Sequence, residues 1–526
     1  MQMRQEKQTT MRIRVNLRFL ICAASIALFL LTELQAAKDG QPNIVFILAD
    51  DLGYSDLGFF GGDIQTPNLD RLAREGTVFG RFLNHAKCEP SRASLMTGVH
   101  FQRQTTGHFV QDFQNVTTLA ERLRSAGYRT LATGKWHLPG KPTEYGFDHF
   151  FGLQGGASNH FDPTGLQGLD ASLYLHREVL LDDKVAPRWG KDFYTTDVFT
   201  DYAVKFLRET PAEQPLFLYL AYTAPHWPLQ APAETIKKYQ GRYDGGWEAL
   251  RNERFAHMRQ AGLIPDGWSL PPLPASLPKW SQVKDPKAKA QLMEVHAAMV
   301  DRMDQGIGRV LEELGKEGRL ENTIIFFASD NGAIGAVGKE ARFDRTPTRP
   351  AGPVDSFRML PEGFACAVNT PWRGQKLTHW AGGDTSPLIV RWPGKVPSSV
   401  FSWQTVNILD VMPTLLALTG ASYPEGMKSL DGRDVSALLT EPTKPADGEN
   451  PHFLRLVFSE ADERAILEGH WKAHRTGSDS WRLYDLSRDG TETKDSSKEN
   501  PSTLKNLVKK FTEFETQISN KQSTNL

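Results

Sequence analysis

The stretch Cys88-Glu89-Pro90-Ser91-Arg92-Ala93-Ser94-Leu95-Met96-Thr97-Gly98 decides how the rest of the chain is interpreted. Pro90 and Ser91 predict the start of a helix, because proline suits the first helical position, where its missing N–H is not needed. Cys88 would then lie at the positive end of the helix dipole, with Arg92 one turn further on the same face. Both features lower the cost of negative charge at Cys88 and favour an activated nucleophile there. A buried structural thiol and a disulfide partner are the alternatives.

The same eleven residues resemble the signature of the sulfatase family, C-x-P-S-R-x-x-x-[LM]-T-G, a branch of the alkaline phosphatase superfamily. The resemblance implies that Cys88 is converted after translation to formylglycine, whose aldehyde becomes a geminal diol in water. One hydroxyl would attack the sulfur of a sulfate ester and displace an alcohol. Loss of the other hydroxyl's proton would then expel sulfate by C–O cleavage. The resemblance therefore also implies a formylglycine-generating maturation enzyme as a partner.

The composition is that of a globular chain without a strong charge bias. The 526 residues can bury a large core, and we expect one large domain with a smaller one. A formal net charge of −1 leaves no overall basic excess, which argues against nucleic acid as a partner. The hydrophobic fraction of 40% and the charged fraction of 23% are typical of soluble globular proteins.

The N-terminal residues have the pattern of an export signal. Five basic residues precede the apolar run 19–31, and Ala36-Ala37 offers small residues for cleavage. The run is short for a membrane span, and an uncleaved anchor is the alternative. We expect a signal peptide over residues 1–36 and a mature bacterial protein that is periplasmic or secreted, without membrane attachment.

Four apolar stretches predict buried strands, and the first of them is rich in β-branched residues. They cover residues 44–48, 128–133, 216–221 and 323–328. Helical patterns between them, such as 117–125 and 196–208, indicate strand–helix alternation and a mostly parallel sheet with helices on both faces. Because ligands of such sheets bind beyond the carboxyl ends of the strands, polar residues there should converge on one site.

Asp50 and Asp51 follow the first of these strands, and Asp330 and Asn331 follow the last. Buried carboxylates are costly unless a positive partner compensates them, and a hard cation with oxygen ligands is the natural partner. The resemblance implies that these four residues and a hydroxyl of the modified Cys88 hold Ca²⁺, with Mg²⁺ as the other candidate. A solvated turn is the alternative interpretation of the two adjacent aspartates.

The resemblance also implies roles for residues at the other strand ends. Arg92 and Lys135 would steady the diol and the charge that it develops. His137 would hydrogen-bond to the diol and take its second proton. His226 would approach the leaving oxygen, and Lys376 would complete the sulfate pocket. Lys135, His226 and Lys376 are thus the implied substrate contacts.

One segment departs from the family pattern. The family continues from its lysine as Lys-x-x-x-x-Glu-Gly-Gly, whereas this chain has Ala381 before Gly382-Gly383. The missing glutamate argues against borrowing any close relative's specificity. We expect Asp384 to accept hydrogen bonds from substrate hydroxyls, with a salt bridge or a solvated turn as the alternative. Indoles in the surrounding loops would either contact a sulfated sugar or pack the loops onto the domain. They belong to Trp227, Trp247, Trp268, Trp280, Trp372 and Trp380.

The predicted fold class is α/β and alkaline-phosphatase-like, with a mostly parallel central sheet flanked by helices over residues 37–440. A small C-terminal α+β subdomain with an antiparallel sheet is expected over residues 441–526. Residues 229–292 are rich in Pro, Gly and Trp and predict an irregular loop insertion, followed by a helix near 287–314. In the C-terminal part we expect strands at 453–459, 465–475 and 481–486 and a helix over 501–519.

These features favour an exported sulfatase that hydrolyses an ester of a sulfated carbohydrate or a smaller sulfated molecule. The alternative enzyme is a phosphodiester or phosphonate monoester hydrolase of the same superfamily. A non-catalytic binder of sulfated glycans is the alternative from another class, and it would predict a broken set of active-site residues.

Overall fold

The computed structural model describes residues 40–104, 113–163, 178–186, 192–444, 451–456 and 462–523. The expected signal peptide, residues 1–36, lies outside the described residues. None of the helices in these ranges combines the length and apolarity that crossing a membrane requires. From Asn43 onward the chain forms one structural unit. The boundary expected near residue 440 stays a prediction.

Ten strands form the large sheet of the described chain. They are β1 (Asn43–Asp50), β2 (Thr77–Leu83), β3 (Arg129–Lys135), β4 (His149–Leu153), β5 (Val179–Leu181), β6 (Lys184–Val185), β7 (Leu216–Pro225), β8 (Thr323–Ser329), β9 (Thr385–Arg391) and β10 (Val400–Asn407). Their spatial order is β10-β2-β9-β8-β1-β7-β3-β4-β5-β6. The central strands from β8 to β4 are parallel, whereas β9 is antiparallel to both of its neighbours. The predicted mostly parallel sheet is confirmed.

Helices connect these strands and cover the sheet. The α-helices of the described residues are α1 (Pro67–Glu75), α2 (Cys88–Thr97), α3 (Leu119–Ser125), α4 (Thr195–Arg208), α5 (Ala233–Lys237), α6 (Gly246–Gln260), α7 (Pro286–Lys316), α8 (Glu362–Val368), α9 (Ala381–Asp384), α10 (Val411–Thr419), α11 (Ser436–Thr440) and α12 (Pro501–Ser523). Short 3-10 turns occur at Gly58–Phe60, Phe101–Arg103, Pro142–Tyr145, Trp280–Gln282, Leu320–Asn322, Gly338–Phe343 and Ile408–Asp410.

Strand β1 lies in the middle of the sheet and is buried on both faces. Ile44 and Phe46 pack into the hydrophobic cluster on one face, and Val45 and Ile47 pack into the cluster on the other. Complete burial of one such side chain contributes about 1.5–3 kcal/mol. Burial of alternate side chains on the two faces of the sheet therefore stabilises the strand. It also fixes the position of Asp50 at the carboxyl end of the strand.

The expectation that residues 229–292 are irregular is wrong for α6. The buried face of this helix contains Arg251 and Arg254 beside Leu250 and Met258, so its sequence shows no clear apolar stripe. Arg254 is tolerated in the interior because its guanidinium pairs with the buried carboxylate of Asp56 at 2.9 Å.

A second, four-stranded antiparallel sheet follows, as expected for the C-terminal part. Its strands are β11 (His452–Leu456), β12 (Glu463–Glu468), β13 (Trp471–Thr476) and β14 (Arg482–Asp485). The single strand expected over 465–475 is in fact two strands, because Gly469 turns the chain with a left-handed φ of 62°. Leu507 and Phe511 of α12 pack on this sheet.

Candidate active site

The carboxyl ends of four neighbouring strands meet at one edge of the large sheet. Asp50 is the last residue of β1, and Lys135 is the last residue of β3. His226 comes directly after β7, and Asp330 comes directly after β8. The predicted convergence of these polar residues therefore follows from the parallel arrangement of the strands.

Helix α2 brings the cysteine to this edge. The helix begins at Cys88, two residues earlier than Pro90 suggested, so that the proline occupies the third helical position. That position is among the first four, whose N–H groups have no partner within a helix. Cys88 therefore lies at the helix N-terminus, where the dipole favours negative charge. The thiols of Cys88 and Cys366 are both free, so a disulfide between them is ruled out.

The acidic residues form one buried cluster. Asp50, Asp51 and Asp330 are 0%, 3% and 0% exposed. The Sγ atom of Cys88 and carboxylate oxygens of Asp50 and Asp330 lie within 4.8 Å of one another. Asn331 joins them by donating a hydrogen bond from Nδ2 to Asp51 Oδ1 at 2.6 Å. The four expected oxygen ligands and the cysteine thus lie together.

Three cationic side chains compensate the three carboxylates. The ion pairs, with their N···O distances, are Lys135–Asp50 at 2.6 Å, Lys376–Asp51 at 2.6 Å and Arg92–Asp330 at 2.7 Å. Arg92 is oriented further because its Nη1 donates to the main-chain carbonyl of Lys135 at 2.9 Å. The structure therefore brings all three predicted cations to the cluster.

The pKa values of Asp330 and Asp50 shift in opposite directions. Burial raises the pKa of Asp330 to about 8, and the nearby charge of Asp50 adds to this effect. Burial is the largest single influence on Asp50 and would raise its pKa, but the nearby cationic groups, Lys135 foremost, together outweigh burial and lower that pKa below its usual value. Two buried carboxylates this close cannot both ionise cheaply without a further cation.

Three oxygens of the cluster are buried without a hydrogen-bond partner in the part of the chain that the structure describes. They are Asp50 Oδ1, Asp51 Oδ2 and Asn331 Oδ1. Unpaired buried acceptors are costly, and a hard divalent cation would satisfy all three. Oxygen donors of this kind suit Ca²⁺ or Mg²⁺ better than a softer metal. The residues present therefore fit the metal that the sequence implied.

Two histidines border the cluster. Burial lowers the pKa of His137 well below its usual value, and the charges of Lys135 and Arg92 lower it further. Burial also lowers the pKa of His226 to about 4. His226 donates from Nδ1 to the carbonyl of Trp227 at 2.6 Å, so its Nε2, 3.6 Å from Asp51 Oδ2, is the nitrogen that faces the cluster. Both imidazoles are neutral at pH 7.

Sequence reasoning missed two residues that support the site. The Tyr219 hydroxyl lies 3.4 Å from Nη1 of Arg92, and His160 donates from Nε2 to the carbonyl of His226 at 3.0 Å. Tyr219 lies within strand β7, where it looks like an ordinary core residue. His160 lies in a stretch without periodicity or a motif, and no sequence signal identified it.

The structure does not bring Asp384 into the cluster, which corrects the expected contact with substrate. Its carboxylate is fully buried and pairs with Lys472 Nζ at 3.0 Å. Three of the six indoles are also almost completely buried inside the protein. Trp247, Trp268 and Trp372 are at most 3% exposed, so the alternative that they pack the loops is confirmed for these three.

Comparisons with known proteins identify the family of this chain. The Sulfatase family model matches residues 42–421, and the model of the N-sulphoglucosamine sulphohydrolase C-terminal region matches residues 382–520. An arylsulfatase of Klebsiella aerogenes is 34% identical over 432 residues, which cover 76% of this chain and 91% of that protein. An uncharacterized sulfatase of Schizosaccharomyces pombe is 32% identical over 530 residues, covering 91% and 94%.

Solved structures share the fold. The crystal structure of Ps i-CgsB is 28% identical, has a TM-score of 0.67 and covers 90% of this chain and 92% of that one. The phosphonate monoester hydrolase of Agrobacterium radiobacter, at 18% identity, a TM-score of 0.57 and coverage of 91% and 96%, shows the same fold. The family match and the arylsulfatase relative identify the activity. This chain belongs to the sulfatase family, as a type I sulfatase of the alkaline phosphatase superfamily, and is a sulfuric ester hydrolase.

Proposed function

We propose that this chain is an exported sulfatase that hydrolyses esters of a sulfated carbohydrate, with formylglycine derived from Cys88 as its nucleophile and Ca²⁺, or Mg²⁺, bound beside it. One observation carries the proposal: the Cys88 Sγ atom lies within 4.8 Å of oxygens of Asp50 and Asp330, at a helix N-terminus. In the mature enzyme this sulfur would be replaced by an oxygen of the aldehyde or its hydrate. The hydrate would supply one hydroxyl to attack sulfur and a second whose deprotonation releases sulfate.

Asp50, Asp51, Asp330 and Asn331 would hold the cation, which would supply positive charge close to the attacking oxygen and the sulfate group. Their unpaired oxygens support this assignment. In the unmodified protein three cationic side chains balance three carboxylates. An anionic substrate would therefore need the positive charge of the metal ion to bind at this buried cluster.

The fixed cations of the chain would position the nucleophile and the sulfate. Arg92 and Lys135 are fully buried, and each is held by a carboxylate, so neither needs to reorganise during the reaction. Lys376 contacts Asp51 and would place its ammonium group against a sulfate oxygen. These charges would favour the transition state, in which negative charge on the transferred sulfate group and the leaving oxygen increases.

The two histidines would handle the protons. Neutral His137 has an Nδ1 atom without a hydrogen-bond partner within the described ranges, so it can accept the proton of the second hydroxyl. His226 presents Nε2 to the cluster, and this nitrogen must be protonated before it can donate to the leaving oxygen, since Nδ1 already donates to the carbonyl of Trp227. With the anionic sulfate bound, the ring would take up a proton at Nε2 and donate it to the leaving oxygen as the alcohol departs.

Similar proteins support a carbohydrate as the substrate. Ps i-CgsB has also been solved in complex with k-i-k-neocarrahexaose, an oligosaccharide, and that chain is 27% identical to this one with a TM-score of 0.65. The mouse N-acetylgalactosamine-6-sulfatase is 27% identical over 499 residues. Beside His226, the half-buried ring of Trp227 stacks on Phe343 at 4.6 Å and offers an apolar surface to a sugar. The pattern of residues 1–36 supports export to the periplasm or beyond, and Cys88 implies a maturation enzyme in the producing host.

Sulfate release tests the proposal. Purified protein from a host with the maturation machinery should release sulfate from an aryl sulfate and from a subset of sulfated mono- and oligosaccharides, with Cys88→Ala as the inactive control. A higher kcat/KM for the matched aryl phosphate mono- or diester would favour the phosphohydrolase alternative instead. Hydrolysis of aryl sulfate alone, across a broad sugar panel, would contradict the carbohydrate assignment.

A further inference from the structure

The C-terminal sheet places three buried charged side chains against the segment that carries Lys376. Glu463 belongs to β12, Lys472 belongs to β13, and Glu492 follows β14; each is at most 2% exposed. Charged residues are rarely buried to this extent unless each has a specific partner. Their partners lie in residues 373–384, which we call the lysine segment.

Glu492 holds the end of the lysine segment. Its Oε2 atom accepts a hydrogen bond from the main-chain N–H of Ala381 at 2.8 Å, and its Oε1 atom lies 2.7 Å from Lys472 Nζ. The same ammonium group pairs with Asp384 at 3.0 Å. One buried triad, Glu492–Lys472–Asp384, therefore connects the small sheet to the main chain and to a side chain of the segment.

Glu463 makes a second connection in the middle of the lysine segment. Its Oε2 atom accepts from the main-chain N–H of His379 at 3.2 Å and lies 2.7 Å from Nε2 of His474. Two carboxylates of the C-terminal region thus accept hydrogen bonds from two main-chain N–H groups of the segment. These bonds add to the packing of Trp380 against Leu467 and Tyr484 and fix the path of the segment's main chain.

The beginning of the lysine segment is joined to the active site. The N–H of Lys376 donates to the carbonyl of Ala333 at 3.1 Å, and the N–H of Leu377 donates to the carbonyl of Ala86 at 2.8 Å. The first bond reaches the loop of Asn331, and the second reaches the loop before Cys88. A Cβ atom on Gly332 would lie only 1.8 Å from the carbonyl oxygen of Gly382, so the two loops pack backbone against backbone.

We infer that Glu492, acting with Lys472, is a positioning residue of the active site: it fixes the lysine segment so that Lys376 Nζ stays 2.6 Å from Asp51 Oδ1. Glu492 also places a carboxylate against the main-chain N–H of residue 381, where this chain has alanine instead of the glutamate of the family pattern. The C-terminal region then helps to position the sulfate pocket through the lysine segment. The inference rests on the proposed function only in giving Lys376 a sulfate group to contact.

The test compares Glu492→Ala with a matched control, Glu515→Ala. Glu515, on α12, pairs with Arg464 of the same sheet at 2.9 Å and is not joined to the lysine segment by any of the contacts above. For each protein we would measure the melting temperature, kcat and KM for an aryl sulfate, the inhibition constant of inorganic sulfate, and the hydrogen exchange of peptides covering residues 373–384.

For Glu492→Ala, measured well below its melting temperature, we expect kcat/KM to fall at least tenfold and sulfate inhibition to weaken at least fivefold. Exchange in residues 373–384 should accelerate. Glu515→Ala should keep all three within twofold of the wild type even if its melting temperature falls equally. Equal effects in the two variants, or an unchanged kcat/KM in Glu492→Ala, would overturn the inference.

Glu492→Gln covers the case in which the alanine variant fails to fold, because the amide keeps an acceptor for the N–H of Ala381 and loses only the charge. It should show the same changes in smaller amount, and wild-type values in all three measurements would again overturn the inference. A wild-type enzyme inert on sulfate esters would refute the proposed function, whereas the exchange measurement would still decide whether Glu492 holds the segment.

Discussion

Replacing Lys376 with methionine removes one ammonium group from the buried cluster while keeping most of the side-chain volume. In the structure Lys376 Nζ lies 2.6 Å from Asp51 Oδ1, and the two side chains are 8% and 4% exposed. Removing one partner of a buried ion pair costs about 3–5 kcal/mol, because the remaining charge stays buried. Asp51 keeps the hydrogen bond from Asn331 at 2.6 Å, so we expect the lower end, about 3 kcal/mol of unfolding free energy.

The effect of Lys376→Met on catalysis should be at least as large as its effect on folding. Loss of one fixed donor to the charge that develops in a transition state costs about 3–4 kcal/mol, or about 10²–10³ in kcat. The assay is steady-state hydrolysis of an aryl sulfate, measured beside chemical unfolding. Lys238→Met is the control, since its ammonium group pairs with Asp301 at 2.9 Å but is 40% exposed, and its loss should cost about 1 kcal/mol or less and leave kcat/KM unchanged. A Lys376→Met enzyme within threefold of the wild-type kcat/KM would refute the assignment of Lys376 to the sulfate pocket.

Three further predictions concern other parts of the site. Asp330→Ala should lower the bound divalent metal measured by elemental analysis and abolish the loss of melting temperature that a chelator causes in the wild type; unchanged metal content would contradict the ligand assignment. Burial lowers the pKa of His160 to about 4 from its usual 6.5, so the unfolded chain binds a proton that the folded chain does not, and stability declines as the pH falls from 6.5 towards 4. His160→Gln should reduce the decline between pH 7 and 5 by about 2 kcal/mol in urea unfolding, and an unaltered decline would contradict a neutral, buried His160. Cys88→Ala should melt within a few degrees of the wild type and show no turnover, whereas residual turnover would place the nucleophile elsewhere.

The central strands and the site at their ends could be predicted from the sequence because they depend on local signals. The apolar run 44–48 needed to be buried on both faces, and the polar residues after it had to lie at a sheet edge. The parallel order of β8, β1, β7 and β3 then brings Asp50, Asp330, His226 and Lys135 together. The convergence depends on the order of the strands in the sheet and not on the separation of the residues along the chain. Residues as far apart as 50 and 330 could therefore be assigned to one cluster.

The parts that could not be predicted depend on long-range partners of buried charges. Helix α6 has no apolar stripe because Arg254 is buried against Asp56, nearly 200 positions away. Asp384 looked available to a substrate because its partner, Lys472, belongs to the other sheet. A charged residue in a sequence indicates exposure by default, and only the fold reveals which charges are neutralised inside. For the same reason, the hydrogen bond between the Glu492 carboxylate and the main-chain N–H of Ala381 could not be predicted from the sequence.

The measurement that tests the account most directly is mass spectrometry of the peptide containing Cys88, made on enzyme whose specific activity on an aryl sulfate is known. Preparations with different degrees of maturation should be compared, since the host's machinery sets the fraction converted. The account predicts the mass of an aldehyde or its hydrate at Cys88 and an activity proportional to the converted fraction. Full activity in a preparation that carries only the unmodified thiol at Cys88 would contradict it.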